Sequence, residues 1–231
     1  KYGREGMRRP VEIELACNID DNATRDEEGK MHVGGEFYLL QIRPVVDSKQ
    51  VLDEDLTLIP DEQCLLRSHN SLGHGISEDV VDVVYVKTDE HFSAQNNPYV
   101  AEDIERINRK FLDAGKNYIL VGPGRWGSSD YWLGIPVKWP HISAARIIVE
   151  AGLENYRVDP SQGTHFFQNL TSFGVGYFTV NSFNNDGVYN KALLDSMEAV
   201  EETQYVRHVR FEKPLCIKMD GMKQEGVVLI V

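Results

Sequence analysis

Apolar and polar residues alternate in two segments near the start of the chain. In Val11-Glu12-Ile13-Glu14-Leu15-Ala16, one phase holds Val11, Ile13 and Leu15, and the other holds Glu12 and Glu14. In Phe37-Tyr38-Leu39-Leu40-Gln41-Ile42-Arg43-Pro44, Tyr38, Leu40 and Ile42 share one phase, and Gln41 and Arg43 the other. Successive strand side chains point to opposite faces, so residues 11–20 and 36–43 read as two strands with one apolar face each. Between them Asp20 to Gly35 is charged and glycine-tipped, the pattern of a long hairpin loop. Pro44 ends the second strand because it has no amide to donate to the ladder. If the apolar phases bury together, carboxylates, an amide and a guanidinium converge on one open face. Carboxylates hold Mg²⁺, and Arg and Gln grip phosphate oxygens. A surface hairpin with an ordinary Glu–Arg pair, worth about 0–1 kcal/mol, satisfies the same alternation.

The acidic stretch 47–62, which contains Pro60, reads as a linker, and a second block starts near Gln63. There Leu72-Gly73-His74-Gly75-Ile76 is a turn, and the β-branched run Val80 to Val86 is a strand. Val100, Ile104, Ile107 and Phe111 recur at helical spacing, which predicts a helix from Pro98 to Ala114 with Gly115 as its stop. Tyr118 to Val121 reads as a short buried strand, and Ala144 to Val149 as another. Phe166, Phe167, Leu170 and Phe173 share one face of a helix expected over Asp159 to Phe173, and Val175 to Val180 follows as a strand. Lys191 to Glu202 reads as a short helix. Tyr205 to Lys218 and Val227 to Val231 read as strands around the Asp220-Gly221 turn. The class is α/β or mixed α+β.

Composition narrows the function more than the fold. The 231 residues suit one large or two small domains. A formal charge of −12 argues against nucleic acid as a partner, because that affinity rests on Lys and Arg neutralising phosphates. It leaves room for a locally basic nucleotide site. Cys17, Cys64 and Cys216 are isolated and lack metal-ligand spacing, which fits a reducing, cytoplasmic setting. No apolar run reaches membrane-spanning length, and the opening residues lack a signal-peptide pattern.

Two segments carry candidate chemistry. Gly122-Pro123-Gly124-Arg125-Trp126-Gly127 matches the glycines of the dinucleotide fingerprint, but Pro136 and Pro140 interrupt the helix that fingerprint needs. What remains is an anion cradle of backbone amides with Arg125, or a tight loop whose Trp126 and Trp132 pack on the core. In Pro160-Ser161-Gln162-Gly163-Thr164-His165, His165 falls in the first turn of the expected helix. A helix N-terminus disfavours an imidazolium and favours anions. It therefore suits a neutral imidazole that attacks a phosphoryl group, with the Thr164 hydroxyl donating to the phosphoryl oxygens. A histidine beside Phe166 and Phe167 also fits a packed residue with its ring nitrogens satisfied. Ser128, Ser129, Asp130 and His165 contain no nucleophile-elbow pattern, so a hydrolytic triad is not expected.

Glu14 together with Leu40-Gln41-Ile42-Arg43-Pro44 resembles the end of the nucleotide-binding domain of the phosphoenolpyruvate synthase and pyruvate phosphate dikinase family. That resemblance implies an ATP-grasp fold whose closing strands place Glu14 on a metal and Gln41 and Arg43 on the phosphates. The later chain resembles the swivelling phosphohistidine domain of the same family. Ala144 to Val149 looks like its Ala- and Ile-rich strand, and Gly163-Thr164-His165 like its histidine turn. Phe173-Gly174-Val175-Gly176 stands where Leu-Gly-Ile-Pro belongs, with Gly174 nine positions after His165 as in the family. Phe166 and Phe167 depart from the small residues the family has there, and Glu150 to Ser161 is an insertion.

The organisation implied is residues 1–62 as closing ATP-grasp strands with a linker, and residues 63–231 as a swivelling β/β/α-type phosphohistidine-like domain with a C-terminal β extension. An ATP-grasp domain needs far more chain before its last strands, so a piece of a longer protein is expected. The function implied is that of a phosphotransferase passing a phosphoryl group from ATP, with Mg²⁺, through His165 to pyruvate or another small acceptor. This chain would be inactive without the rest of its ATP-grasp domain. The repeated strand–helix units of the family's pyruvate-binding barrel are not seen in it. A non-catalytic binding module of such a protein is the alternative.

Overall fold

The computed structural model describes residues 11–19, 24–25, 31–32, 34–44, 52, 54–89, 92–161, 170 and 174–230. The chain separates into two compact units, Lys1–Lys49 and Gln50–Val231. The molecule is mixed α/β and built mostly of strands, with a curled sheet and few helices.

The first unit is an antiparallel ribbon of β1 (Val11–Ile19) and β4 (Gly35–Pro44), with β2 (Thr24–Arg25) paired to β3 (Met31–His32) between them. The register sets Glu12 opposite Arg43, Ile13 opposite Ile42 and Glu14 opposite Gln41. The alternation expected through Tyr38, Leu40 and Ile42 is interrupted. A bulge between Glu14 and Leu15 sets Leu39, not Leu40, opposite Leu15 and Tyr38 opposite Ala16. One extra residue on a strand reverses the phase of everything beyond it. Ile13, Leu15, Phe37, Leu39 and Leu40 are all exposed.

The second unit centres on a ten-stranded sheet. Its strands are β5 (Cys64–Ser68), β6 (Ser71–Leu72), β7 (Gly75–Val86), β8 (Tyr118–Gly122), β11 (Ala145–Ala151), β12 (Gly176–Val180), β13 (Val188–Tyr189), β14 (Ala199–Glu202), β15 (Val206–Asp220) and β16 (Glu225–Leu229). The order is β13-β5-β16-β15-β7-β8-β11-β12-β6, with β14 on β15. β5 and β6 are nearly continuous in sequence yet stand towards opposite ends of that order, so the sheet curls back on itself. Ser68 closes the curl: its Oγ donates to the Thr179 carbonyl at 2.7 Å and accepts from the Thr179 amide at 3.2 Å. The core of the sheet, β7-β8-β11-β12, is parallel.

Parallel strands buried on both faces read as near-continuous apolar runs, which explains Tyr118 to Val121, Val80 to Val86 with Asp82 as its one polar residue, and Ala144 to Val149 with Arg146 as its one polar residue. Val83, Tyr85, Ile119, Val121, Ile147, Val149, Phe178 and Val180 fill the inside of the curl with Leu215, Ile217 and Val228. Val84, Val86, Tyr118, Leu120, Ile148 and Tyr177 form the other face. That face is covered by α1 (Asn97–Asp113), which buries Val100, Ala101, Ile104, Ile107 and Phe111. The Val, Ile and Phe side chains among them each contribute roughly 1.5–3 kcal/mol when fully buried. Pro98 lies in the first helical turn, where a missing amide costs nothing, and Gly115 ends the helix at φ +63°. The buried Asn108 ties α1 to the sheet: its Oδ1 accepts from Tyr118 Oη at 3.1 Å and the Ala144 amide at 2.9 Å, and its Nδ2 donates to the Pro140 carbonyl.

Two stretches differ from their sequence reading. Lys191 to Glu202 divides into α2 (Lys191–Ser196), capped by Asn190, and strand β14. There Glu201 accepts from Lys110 Nζ at 2.6 Å and pairs with Arg106. The described part of the stretch read as a linker belongs to the second unit. Leu56 is buried against Cys64 and Val227. The buried Arg67 donates to the Leu56 carbonyl at 2.9 Å, to Asp61 Oδ1 at 2.6 Å and to the Ile59 carbonyl.

Candidate functional site

Strands β7, β8, β11 and β12 run the same way, so their carboxyl ends open onto one edge. In open parallel sheets that edge is where ligands bind. The glycine loop leaves β8 here. No helix follows it. Instead β9 (Arg125–Trp126) pairs in parallel with β10 (Gly134–Ile135), a geometry that ends the dinucleotide-fingerprint reading.

Glu150 organises this edge. Along β11 the inward positions are Ile147, Val149 and Ala151, and Glu150 falls on the opposite face at the strand's end. It is only 5 % exposed. Its Oε1 accepts from the Trp126 amide at 3.0 Å and Ser161 Oγ at 2.6 Å. Its Oε2 accepts from the Ser161 amide at 2.9 Å and Tyr177 Oη at 2.7 Å. Burial pushes the Glu150 carboxyl up from its ordinary pKa, and the donors from Ser161, Tyr177 and Trp126 oppose that shift only in part. Burial, reinforced by the Glu150 charge, also raises the Tyr177 phenol. Trp126 is buried and its Nε1 donates to the Val149 carbonyl at 2.9 Å. Arg125 Nε donates to the Asp159 carbonyl at 2.7 Å. One buried carboxylate and one guanidinium thus tie the glycine loop, the segment 159–161 and β12 to the end of β11.

The residues expected from sequence fall in three places. Glu14 is half-buried and sits opposite Gln41, with Glu12 opposite Arg43, so all four positions share one face of the ribbon. Arg125 lies at the sheet edge and holds a carbonyl of segment 159–161. Thr164 and His165 lie outside the described residues. Of the helix expected over 159–173, residues 159–161 are non-helical and Leu170 is helical and buried; 162–169 and 171–173 lie outside the described residues. Trp126 packs in the core as one reading required, whereas Trp132 is half-exposed. Ser128 Oγ donates to the Asp130 carbonyl, not to a base.

Two buried acidic residues escaped the sequence reading. Glu150 ends an apolar run and has no local partner. Asp82, 1 % exposed, sits in mid-strand, and its Oδ1 accepts from His208 Nε2 at 2.7 Å and Arg210 Nε at 2.8 Å. Burial works to raise the Asp82 carboxyl, but the hydrogen bonds from His208 and Arg210 outweigh it and hold it below the usual carboxylate range. The available signal was a lone acid inside a β-branched run, which is costly unless paired.

Among the described residues, no group of three or more His, Cys, Asp or Glu side chains is placed to hold a metal ion. Among the same residues, no helix is long and apolar enough to cross a membrane. Comparison with protein-family models, curated proteins and solved structures yields no match to this chain.

Proposed function

We propose that this chain is part of a phosphoryl-transfer protein of the phosphoenolpyruvate synthase type, with closing ATP-grasp strands in the first unit and a swivelling phosphohistidine-like domain in the second. The observation that carries the reading is the ribbon register, which puts Glu12 and Glu14 on one face with Gln41 and Arg43. That donor set fits the groups proposed for it. Glu14 would supply a hard oxygen of the kind Mg²⁺ takes. Gln41 and Arg43 grip phosphate oxygens. Bound Mg²⁺ neutralises charge on the phosphates. The exposed Ile13, Leu15, Phe37, Leu39 and Leu40 also support the reading, because an isolated two-stranded ribbon is marginal in water and needs a larger sheet or partner over its apolar side.

In the second unit the proposed acceptor is His165, with Thr164 donating to the phosphoryl oxygens. Its imidazole nitrogen forms the P–N bond as the P–O bond to the departing nucleotide breaks, and the electron pair leaves with the nucleotide. The Glu150 network supports this assignment, since it anchors Ser161, the last described residue before that segment. Arg125 adds a cation at the same edge. A small acceptor such as pyruvate then takes the phosphoryl group.

The test uses the full-length protein with phosphoryl-labelled ATP and Mg²⁺, and separately with labelled phosphoenolpyruvate. The expected product is acid-labile, base-stable label that His165→Ala abolishes. Glu14→Gln lowers labelling from ATP by more than about tenfold and leaves labelling from phosphoenolpyruvate intact. A folded protein that takes no label from either donor refutes the transferase and leaves a binding module.

A further inference from the structure

We propose that the cleft at the carboxyl ends of β7 and β11 is a binding site for a small organic cation carrying an ammonium group. The cleft measures about 590 Å³ and is lined by Phe92, Trp132 and Tyr156 together with the exposed residues Asp89 and Glu154. Aromatic faces carry negative quadrupole density, and a desolvated ammonium ion set among them gains cation–π attraction. Among the described residues, no lysine or arginine lines the cleft. An adjoining cavity of about 340 Å³ shares Asp89 and Phe92, and the one lysine on its wall, Lys87, is engaged with Glu202 Oε1 at 2.8 Å. Among the described lining residues a phosphorylated ligand therefore finds no counter-charge, whereas a cation finds the exposed Glu154 on a chain of net charge −12. Asp130 strengthens the negative field. Burial is the larger reason that the Tyr156 phenol stands above its ordinary pKa, and the Asp130 charge adds to it.

The walls are held in place without a ligand. Phe92 and Tyr156 meet edge to face with ring centroids 5.5 Å apart. Trp132 is 50 % exposed, a costly position for an indole, yet its loop is pinned. Its amide donates to Asp130 Oδ1 at 2.9 Å, the Leu133 amide to the Asp130 carbonyl at 3.0 Å, and Asn97 Nδ2 to the Tyr131 carbonyl at 2.8 Å. A pre-organised aromatic wall loses little entropy when a ligand arrives. This site is independent of the phosphoryl-transfer reading, since it uses none of Glu14, Gln41, Arg43 or His165.

Titration of the chain with tetramethylammonium and with choline, followed by tryptophan emission and calorimetry, tests the proposal. Saturable binding of both is expected. The neutral isostere 3,3-dimethylbutan-1-ol should bind about tenfold more weakly, the share that charge contributes. Trp132→Ala should lower affinity for choline about tenfold in calorimetry, and Glu154→Gln severalfold, with unfolding midpoints near wild type because both side chains are exposed. Absence of saturable binding, equal affinity for the neutral alcohol, stronger binding of AMP, or choline affinity unchanged in Trp132→Ala would each overturn it.

Discussion

Replacing Glu150 tests how the sheet edge is held. Glu150→Ala removes the acceptor of two buried amides, those of Trp126 and Ser161, and of the Ser161 and Tyr177 hydroxyls. Hydroxyls can rotate to new partners, but amides cannot. Each orphaned buried N–H costs about 1–3 kcal/mol, and relief from a desolvated carboxylate offsets part of that. The net loss expected is about 3–5 kcal/mol. Glu150→Gln keeps the shape but turns its NH₂ towards a backbone N–H, that of Trp126 in one orientation and Ser161 in the other. It should lose about 1–3 kcal/mol.

The pH dependence has a definite sign. The folded-state pKa of Glu150 lies above its unfolded value, with burial as the main cause. Its contribution is therefore fully present below the unfolded carboxyl pKa and is lost as pH rises through the folded one. The advantage of wild type over Glu150→Gln should be largest near about pH 4 and shrink towards neutrality. Urea unfolding followed by tryptophan emission measures both effects, since Trp126, Trp132 and Trp139 all lie in the second unit. An alanine variant within about 1 kcal/mol of wild type would refute the network's role, and a wild-type advantage over Gln that grows with pH would refute burial as the force that sets the Glu150 pKa.

Further perturbations separate packing from charge. Asp82→Ala leaves His208 and Arg210 without their shared acceptor and should cost about 3–5 kcal/mol in chemical unfolding. Because the folded pKa of Asp82 is depressed, its contribution is present above the unfolded value and fades as pH falls through the folded one, so the penalty of Asp82→Asn should diminish in acid titrations. Arg67→Met strips the Leu56 and Ile59 carbonyls of their donor; limited proteolysis should then cut within residues 52–62 at least about tenfold faster. Gly134→Ala would set a Cβ 1.9 Å from the Arg125 carbonyl oxygen and force β9 from β10, whereas Gly115→Ala meets open space and only bears its φ of +63°. Thermal melts should show the first losing more than about 2 kcal/mol and the second about 1 kcal/mol.

Local pattern carried a good part of the architecture. The 2-residue period of segments 11–16 and 37–44 specified the ribbon strands, and the 3.6-residue spacing of Val100, Ile104, Ile107 and Phe111 specified α1, because each periodicity is written in neighbouring side chains. The β-branched run at Val80 to Val86 announced a strand, and the apolar run at Tyr118 to Val121 a buried one. Pattern could not show the bulge beside Glu14, since one unpaired residue reverses the phase without altering composition. It also left out β5, whose pairing with β16 and β13 depends on chain more than a hundred residues away. The candidate site was the least legible part. Glu150 meets Trp126, Ser161 and Tyr177 from separate elements, and Asp82 meets His208 across 126 positions. A lone acid within an apolar strand marks a cost that something must offset. Which groups offset it depends on how distant strands align, and that alignment follows from minimising exposed apolar area over the whole curled sheet.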